Sequence, residues 1–186
     1  MPELQELLLV RHGQSTANAK GIWQGQMEFP LSERGRAQAS LAGHGLSGEP
    51  FEGLSERNGG ILEGHTWAEQ QQRNPELAKK FLAIPEGERW ALVGAETDEE
   101  VIARFEEALS SIRALHPGGS RIVVVSHGGV MRAFLRERFG TGVLPGTQRA
   151  ANASITRMQW DESGPRLLQV ASTAHLTEDP GSSTVE

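Results

Sequence analysis

The chain has 186 residues and no cysteine, with 37% hydrophobic and 23% charged residues and a net charge of −6. This length suits one domain with a proper core, and the negative charge argues against nucleic acid or an anionic membrane surface as the main partner. The lack of cysteine excludes disulfides, thiolate nucleophiles and thiolate metal sites.

The N-terminal region predicts no targeting segment. Its apolar run, residues 7–10, is short and follows acidic residues, whereas a signal peptide needs a basic start and a longer apolar stretch. No stretch approaches the length of a membrane span. With the absence of cysteine, this pattern favours a cytoplasmic protein.

The first half of the chain predicts one strand and three helices. The aliphatic run 7–10 predicts a buried strand, and a helix over residues 32–41 follows it. Residues 43–60 are glycine-rich and show no convincing element. Two capping boxes, 66–69 and 97–100, begin helices, and the second of these helices is amphipathic.

The second half begins with the aliphatic run 122–125, which also predicts a buried parallel strand. A helix over residues 130–139 follows, and then a hairpin of strands 155–160 and 167–172. The polar tail, 177–186, is predicted to be disordered. The folded domain is therefore predicted to span residues 1–176.

Both predicted parallel strands lead directly into a histidine and a glycine, in Arg11-His12-Gly13 and in Ser126-His127-Gly128. Ligands bind at the carboxyl ends of the strands of a parallel sheet. His12 and His127 are therefore predicted to lie close together on one rim of the sheet. An isolated Arg-His-Gly triplet is more often a surface loop, but the second histidine in the same context favours a functional site.

The chemistry of these residues points to phosphoryl transfer. A neutral imidazole on His12 can attack phosphorus while the Arg11 guanidinium holds the oxygens, and Asn18 can donate a further hydrogen bond. Gly13 would let the backbone turn close to the phosphate. His127 and Gly128 lead into the next helix, whose N-terminal N–H groups favour an anion.

Several segments resemble the histidine phosphatase superfamily, also called the phosphoglycerate mutase-like family. LLLVRHGQSTANAKGIWQGQMEFPLSERGRAQA is similar to its N-terminal signature, and IVVVSHGGVMRAFL to its second-histidine segment. LSERNGGILEGHTWAE resembles the stretch that carries its acid, and GAETDEEVIARFEEAL and NASITRM resemble two further segments. The resemblance covers about residues 5–176 and implies a three-layer α/β/α sandwich.

The resemblance also implies roles for single residues. His12 matches the histidine phosphorylated during turnover, and His127 the second histidine of the pocket. Glu56 matches the acid that protonates the leaving oxygen. The matches to phosphate- and substrate-binding positions are Arg11, Asn18, Gln24 and Gly25.

The chain departs from the family between Phe51 and Leu54. There the family has a strand–helix–strand unit of roughly 30 residues, which carries a second phosphate-binding arginine. Its absence predicts a sheet shortened at one edge, and an exposed edge favours dimerisation, so that a homodimer is one expected assembly. Without a replacement, losing the arginine should slow the reaction by roughly ten- to several hundredfold. Candidates to replace it are Arg34, Arg36 and Arg57.

We therefore expect a metal-independent phosphomonoester hydrolase that acts on a small phosphate ester through a phosphohistidine on His12. The six histidines have no metal-binding spacing and no Walker-type loop is present, so no metal or other cofactor is expected. One alternative is a weak or inactive phosphate-binding relative that lacks the second arginine. The other is a phosphoglycerate mutase, which is less favoured because Gly64 runs straight into a helix where the mutases carry a long insertion.

Overall fold

A computed structural model describes residues 4–43, 48–145 and 148–176. The strands and helices are, in chain order, β1 (Gln5–Arg11), α1 (Thr16–Ala19), α2 (Glu33–Gly43), α3 (Trp67–Arg73), α4 (Pro75–Ala83), α5 (Asp98–Ala114), β2 (Arg121–Ser126), α6 (Gly128–Phe139), β3 (Ile155–Asp161) and β4 (Gly164–Ser172). Among these residues, no helix is both long and apolar enough to cross a membrane. The predicted disordered tail, 177–186, lies outside the described residues.

The four strands form one sheet in the order β2-β1-β3-β4. β1 and β2 run parallel, in a register that ends with Arg11 beside Ser126. β3 and β4 form an antiparallel hairpin, and β3 pairs with the other edge of β1. The predicted parallel pair and hairpin are confirmed. Because β1 and β2 end at the same level, they deliver His12 and His127 side by side.

The core lies between one face of the sheet and the helices α5 and α6. Leu7 and Leu9 of β1 and Ile122 and Val124 of β2 are all buried against it. α5 begins at a capping box, as predicted, in which Thr97 and Glu100 exchange hydrogen bonds with each other's backbone. The buried residues of α5 recur at helical spacing, which turns one face towards the sheet.

The opposite face of the sheet is covered at β1 but not at β2. Val10 is buried, whereas Val123 and Val125, on the same face, are 39% and 56% exposed. The prediction that β2 is a buried strand is therefore correct for only one of its faces. β2 is an edge strand of this sheet, in agreement with the predicted shortening. Dimerisation through this edge stays a prediction.

A short connection takes the place of the missing strand–helix–strand unit. It contains one 3-10 turn, Glu52–Leu54, and Phe51 and Leu54 pack against the core. The Arg104 guanidinium on α5 donates hydrogen bonds to the carbonyl oxygens of Gly53, Ser55 and Glu56 at 2.9, 2.9 and 3.0 Å. Ser126 Oγ, at the end of β2, donates to the Leu54 carbonyl at 2.7 Å. The connection is thus fastened to both α5 and β2.

Candidate active site

A cavity of about 530 Å³ opens at the carboxyl ends of β1 and β2. Every residue predicted for the site lines it: His12, Glu56, His127, Arg11, Asn18, Gln24, Gly25 and Gly128. The sequence therefore predicted which residues the fold brings together, although they come from four separate segments of the chain.

The backbone of His12 is held on both sides. Its N–H donates to the Ser126 carbonyl at 2.9 Å, and its carbonyl accepts from Ala153 N at 3.1 Å and from Asn152 Nδ2 at 3.2 Å. The ring is fixed as well, because Nδ1 donates to the Gly13 carbonyl at 2.7 Å. This tautomer leaves the lone pair on Nε2, which is the atom available for nucleophilic attack.

The two histidine rings are neighbours, with centroids 4.9 Å apart. Burial lowers the pKa of His12 to about 4, and His127 adds to the effect. Burial also lowers the pKa of His127, against the opposing charge of Glu56. His12 is therefore neutral at pH 7, the state that a nitrogen nucleophile requires.

We expect the His12 imidazole to titrate near pH 4, well below the ordinary value of about 6.5. Histidine Cε1–H chemical shifts followed by NMR from pH 3.5 to 8 would measure this, with the signal assigned by its loss in His12→Gln. A midpoint near the ordinary value would mean that water solvates the ring freely, contrary to the packing described above.

Arg11 lines the cavity and carries a buried donor without a partner in the described part of the chain. Its Nη1 donates to the Ala150 carbonyl at 2.6 Å, whereas its Nε is buried and has no hydrogen-bond partner among the described residues. Gly128 lies against this nitrogen, since a Cβ at position 128 would come within 3.0 Å of it. A buried donor without a partner costs free energy, and the guanidinium that carries it is a cation of the cavity wall.

Asn18 and Gln24 are set in place by the N-terminal turn of α1. Asn18 Oδ1 accepts from the Ser15 backbone N–H at 3.2 Å and from Asn152 Nδ2 at 3.1 Å, which leaves its own Nδ2 free to donate. Ser15 Oγ donates to Gln24 Oε1 at 2.8 Å, so the amide nitrogen of Gln24 is also left for a ligand.

Gly13 lies against the first turn of α2. A Cβ at this position would collide with the carbonyl oxygen of Gly35 on α2. The glycine therefore allows α2 to pack closely against the His12 turn, and its role near the phosphate stays a prediction.

The Glu56 carboxylate lies at the N-terminus of α6. Its Oε2 accepts from Gly129 N at 2.9 Å, and its Oε1 from Val130 N at 2.9 Å and Arg57 N at 2.8 Å. Burial raises the pKa of this carboxyl, but the three N–H donors and His127 outweigh it, so that the pKa lies below its ordinary value. The helix N–H groups predicted to bind the phosphate thus hold Glu56 here, which is an anion too.

Of the three arginines considered as replacements for the missing one, only Arg57 lines the cavity. Its guanidinium is bound to the Glu96 carbonyl and to the Asp98 carboxylate, and it lies 4.4 Å from the centre of the Trp90 ring. Arg36 donates to the Leu31 carbonyl, away from the cavity. The guanidinium of Arg57 is therefore bound within the wall of the cavity and does not replace the missing arginine.

Sequence reasoning missed many residues of the cavity wall, Arg149 and Asn152 among them. Asn152 lies within the NASITRM segment, which is similar to a family segment, and this was the signal that could have found it. Arg149 belongs to no motif, and nothing in the sequence indicated it.

Comparison with known proteins identifies the family. The model of the histidine phosphatase superfamily, branch 1, matches residues 7–53 and 45–173. The chain belongs to the histidine phosphatase superfamily. The two matched segments of this histidine phosphatase overlap at residues 45–53, and the predicted deletion lies at the end of this overlap.

Two relatives carry phosphatase names. A metal-independent phosphoserine phosphatase of Arabidopsis thaliana is 31% identical over 162 residues, covering 70% of this chain and 67% of the relative. Phosphoserine phosphatase 1 of Hydrogenobacter thermophilus is 26% identical over 203 residues, covering 93% and 95%. The second alignment is longer than this chain, so it contains gaps opposite the chain, as a deletion requires.

A solved structure shares the fold. Phosphoglycerate mutase from Bacillus anthracis superposes with a TM-score of 0.77 at 20% identity, covering 94% of this chain and 96% of that one. The predicted α/β fold of this family is confirmed. The relatives support a phosphatase function, and they do not favour the weak phosphate-binding alternative.

Proposed function

We propose that this phosphatase works through a phosphohistidine on His12 and needs no metal. The observation that carries the proposal is the pairing of a fixed, neutral His12 with the partnerless Arg11 Nε in one cavity. The first supplies a nucleophile with its lone pair exposed, and the second supplies a cationic donor for the phosphoryl oxygens. The substrate is a small phosphate monoester.

In the first step, His12 Nε2 attacks phosphorus in line with the ester oxygen. The N–P bond forms as the P–O bond to the alcohol breaks, and a proton from the Glu56 carboxyl neutralises the departing oxygen. Arg11, Asn18 and His127 donate hydrogen bonds to the phosphoryl oxygens, which stabilises the charge of the transition state.

Glu56 must gain a proton before it can act as an acid, because its pKa is low without a ligand. A phosphate monoester brings about −1.5 to −2 charges into the cavity, and a like charge nearby raises the pKa of a carboxyl. Substrate binding therefore shifts Glu56 towards the protonated form that the first step consumes.

In the second step, water attacks the phosphohistidine. Glu56, now a carboxylate, accepts the proton of the water as the N–P bond breaks, and inorganic phosphate leaves. Hydrolysis is favoured over transfer to a second hydroxyl, because the chain passes from Glu63 through Gly64, His65 and Thr66 directly into α3. No segment follows the acid there to cover the intermediate.

Trapping the intermediate tests the proposal. Wild-type protein mixed with a ³²P-labelled monoester and quenched in alkali is expected to carry label on the peptide that contains His12, and the label should be lost in acid. His116→Ala, which changes an exposed histidine after α5, should label like the wild type. Label on another residue, or hydrolysis with no phosphoenzyme under any quench time, would contradict the mechanism.

The cytoplasmic location also remains a proposal. A chain without cysteine can form no disulfide, and disulfides are typical of proteins in oxidising compartments. Cell fractionation with an antibody to the full chain would decide it.

A further inference from the structure

Arg104, on α5, uses all of its side-chain donors around the segment that carries Glu56. Its Nη1 donates to the carbonyl oxygens of Gly53 and Ser55 at 2.9 Å, and its Nη2 to that of Glu56 at 3.0 Å. It also donates to the Glu96 carboxylate, from Nε at 2.8 Å and from Nη2 at 2.9 Å. A guanidinium has five N–H donors, and these five hydrogen bonds use all of them. The carbonyls of Ser55 and Glu56 belong to the two peptide groups that flank Glu56 Cα, so Arg104 fixes the point from which the Glu56 side chain begins.

Glu96 holds the residues that follow the acid. Its Oε2 accepts from the Asn58 backbone N–H at 2.6 Å, and its own N–H donates to the Asn58 carbonyl at 3.0 Å. Its carbonyl oxygen accepts from the Arg57 guanidinium. Burial raises the pKa of the Glu96 carboxyl, but the hydrogen bonds from Arg104 and Asn58 outweigh it, so that the pKa lies below its ordinary value. Glu96 is therefore an anion at pH 7, and it orients Arg104 as well as the backbone after the acid.

Arg104 and Glu96 lie behind the cavity. The described residues that line the cavity do not include either of them, so their influence on a bound substrate must pass through the residues they hold. The charge of Arg104 has one direct effect. Burial is the main cause that lowers the pKa of His127, and Arg104 adds a smaller contribution. A test of Arg104 must therefore separate its charge from its hydrogen bonds.

The hydrogen bonds that hold the Glu56 carboxylate depend on its charge. As an anion, Glu56 accepts from Gly129 N and Val130 N at the N-terminus of α6. Once Glu56 carries a proton, one of its oxygens is a hydroxyl, and a helix N-terminus favours an anion over a neutral acid. These hydrogen bonds therefore weaken in the state that donates the proton. The hydrogen bonds from Arg104 to peptide oxygens do not, because the protonation of Glu56 leaves both partners unchanged.

We propose that Arg104 is a positioning residue for proton transfer by Glu56, and that Glu96 orients Arg104 for this purpose. By fixing the two peptide groups that flank Glu56, Arg104 keeps the protonated side chain within reach of the leaving oxygen. Proton transfer depends on position, and a displacement of about 1 Å can slow a reaction by about 10²-fold. The inference rests on the proposed role of Glu56 and names the residues on which that role depends.

The test compares phenyl phosphate, whose leaving oxygen needs a proton, with p-nitrophenyl phosphate, whose leaving oxygen needs it much less. Arg104→Lys keeps the charge near His127 but has fewer donors, and Glu96→Gln removes the carboxylate that orients Arg104. Either variant should lower kcat/KM for phenyl phosphate by about 10- to 100-fold, and for p-nitrophenyl phosphate by about threefold or less. Arg138 and Glu106 form another ion pair between α6 and α5. Arg138→Lys and Glu106→Gln are the matched controls and should change neither rate.

A double variant establishes whether Arg104 acts through Glu56. In the Glu56→Gln background, Arg104→Lys should cause no further loss with phenyl phosphate, because the group that it positions no longer donates a proton. A loss of the same size in both backgrounds would overturn the proposal. Equal losses for the two esters in the single variant, or no loss for either, would overturn it as well. Circular dichroism melts show whether each variant is folded, and Glu96→Gln supplies the same comparison if Arg104→Lys is not.

The pKa of Glu56, followed by carbon-13 NMR of its carboxyl group, gives a measurement that needs no turnover. In the wild type this pKa lies below its ordinary value. In Arg104→Lys it should rise, because a displaced carboxylate loses the N–H donors of Gly129 and Val130. If the wild type hydrolyses neither ester and this pKa rises in the variant, the phosphatase function fails but Arg104 still positions Glu56. An unchanged pKa would show that Arg104 does not position Glu56.

Discussion

Replacing His12 with alanine is expected to lower kcat/KM for p-nitrophenyl phosphate by at least about 10³-fold. The variant removes the imidazole that a backbone hydrogen bond holds and that burial next to a second ring keeps neutral. p-Nitrophenolate leaves readily without a proton. The rate with this substrate therefore depends mainly on the nucleophile and little on the acid. The assay is the release of p-nitrophenol with EDTA present throughout.

The matched control for this measurement is His116→Ala, an exposed histidine outside the cavity, which should keep the wild-type rate. Circular dichroism melts of both variants establish that each is folded. A folded His12→Ala protein with a tenth or more of the wild-type rate would show that another group attacks phosphorus. Loss of the wild-type activity in EDTA would show that a metal takes part.

Replacing Glu56 with glutamine is expected to slow the hydrolysis of alkyl phosphates by about 10²- to 10⁴-fold and that of p-nitrophenyl phosphate much less. An alkoxide is a poor leaving group and needs the proton that Glu56 supplies, whereas p-nitrophenolate does not. The measurement is kcat/KM for a series of esters ordered by the pKa of their alcohols. In the variant, the rate should fall more steeply as that pKa rises.

The same substitution should also reduce stability. Glutamine has one acceptor oxygen, whereas the carboxylate accepts from the N–H groups of Arg57, Gly129 and Val130 with both of its oxygens. At least one N–H would then face an amide NH₂, at a cost of about 1–3 kcal/mol in the free energy of unfolding. Glu52→Gln, an exposed carboxylate on the same connection, is the control and should change neither quantity. If kcat/KM of Glu56→Gln depends on the pKa of the alcohol as it does in the wild type, Glu56 does not donate the proton to the leaving group.

The sequence predicted the His12–His127 pair because the relevant physics is local and repetitive. Two short aliphatic runs, each ending in a histidine and a glycine, need only pair in parallel to bring both rings together. The hairpin and the capping boxes are equally local, and they were also predicted. The positions of residues that depend only on their own strand or turn can therefore be predicted from the sequence.

The position of Glu56 could not be derived in this way. It depends on Arg104 and Ser126, which lie far along the chain and bind carbonyl oxygens of the 53–56 connection. Nothing in the composition of that connection shows that its backbone would be satisfied by a guanidinium on α5. Likewise, a run of valines is the same in a buried strand and in an edge strand. Val125 is exposed because no strand pairs with the outer edge of β2 among the described residues, and this could not be read from the valines themselves.

The hydrogen bonds from Arg104 to the 53–56 connection bear on how the chain tolerates a change of length before this connection. The Arg104 side chain, itself paired with Glu96, binds the carbonyl oxygens of Ser55 and Glu56, and none of these contacts involves residues 48–50. The exposed residues 48–50 lie just outside the fastened part. A change of length at residues 48–50 would therefore leave in place the backbone hydrogen bonds that position Glu56.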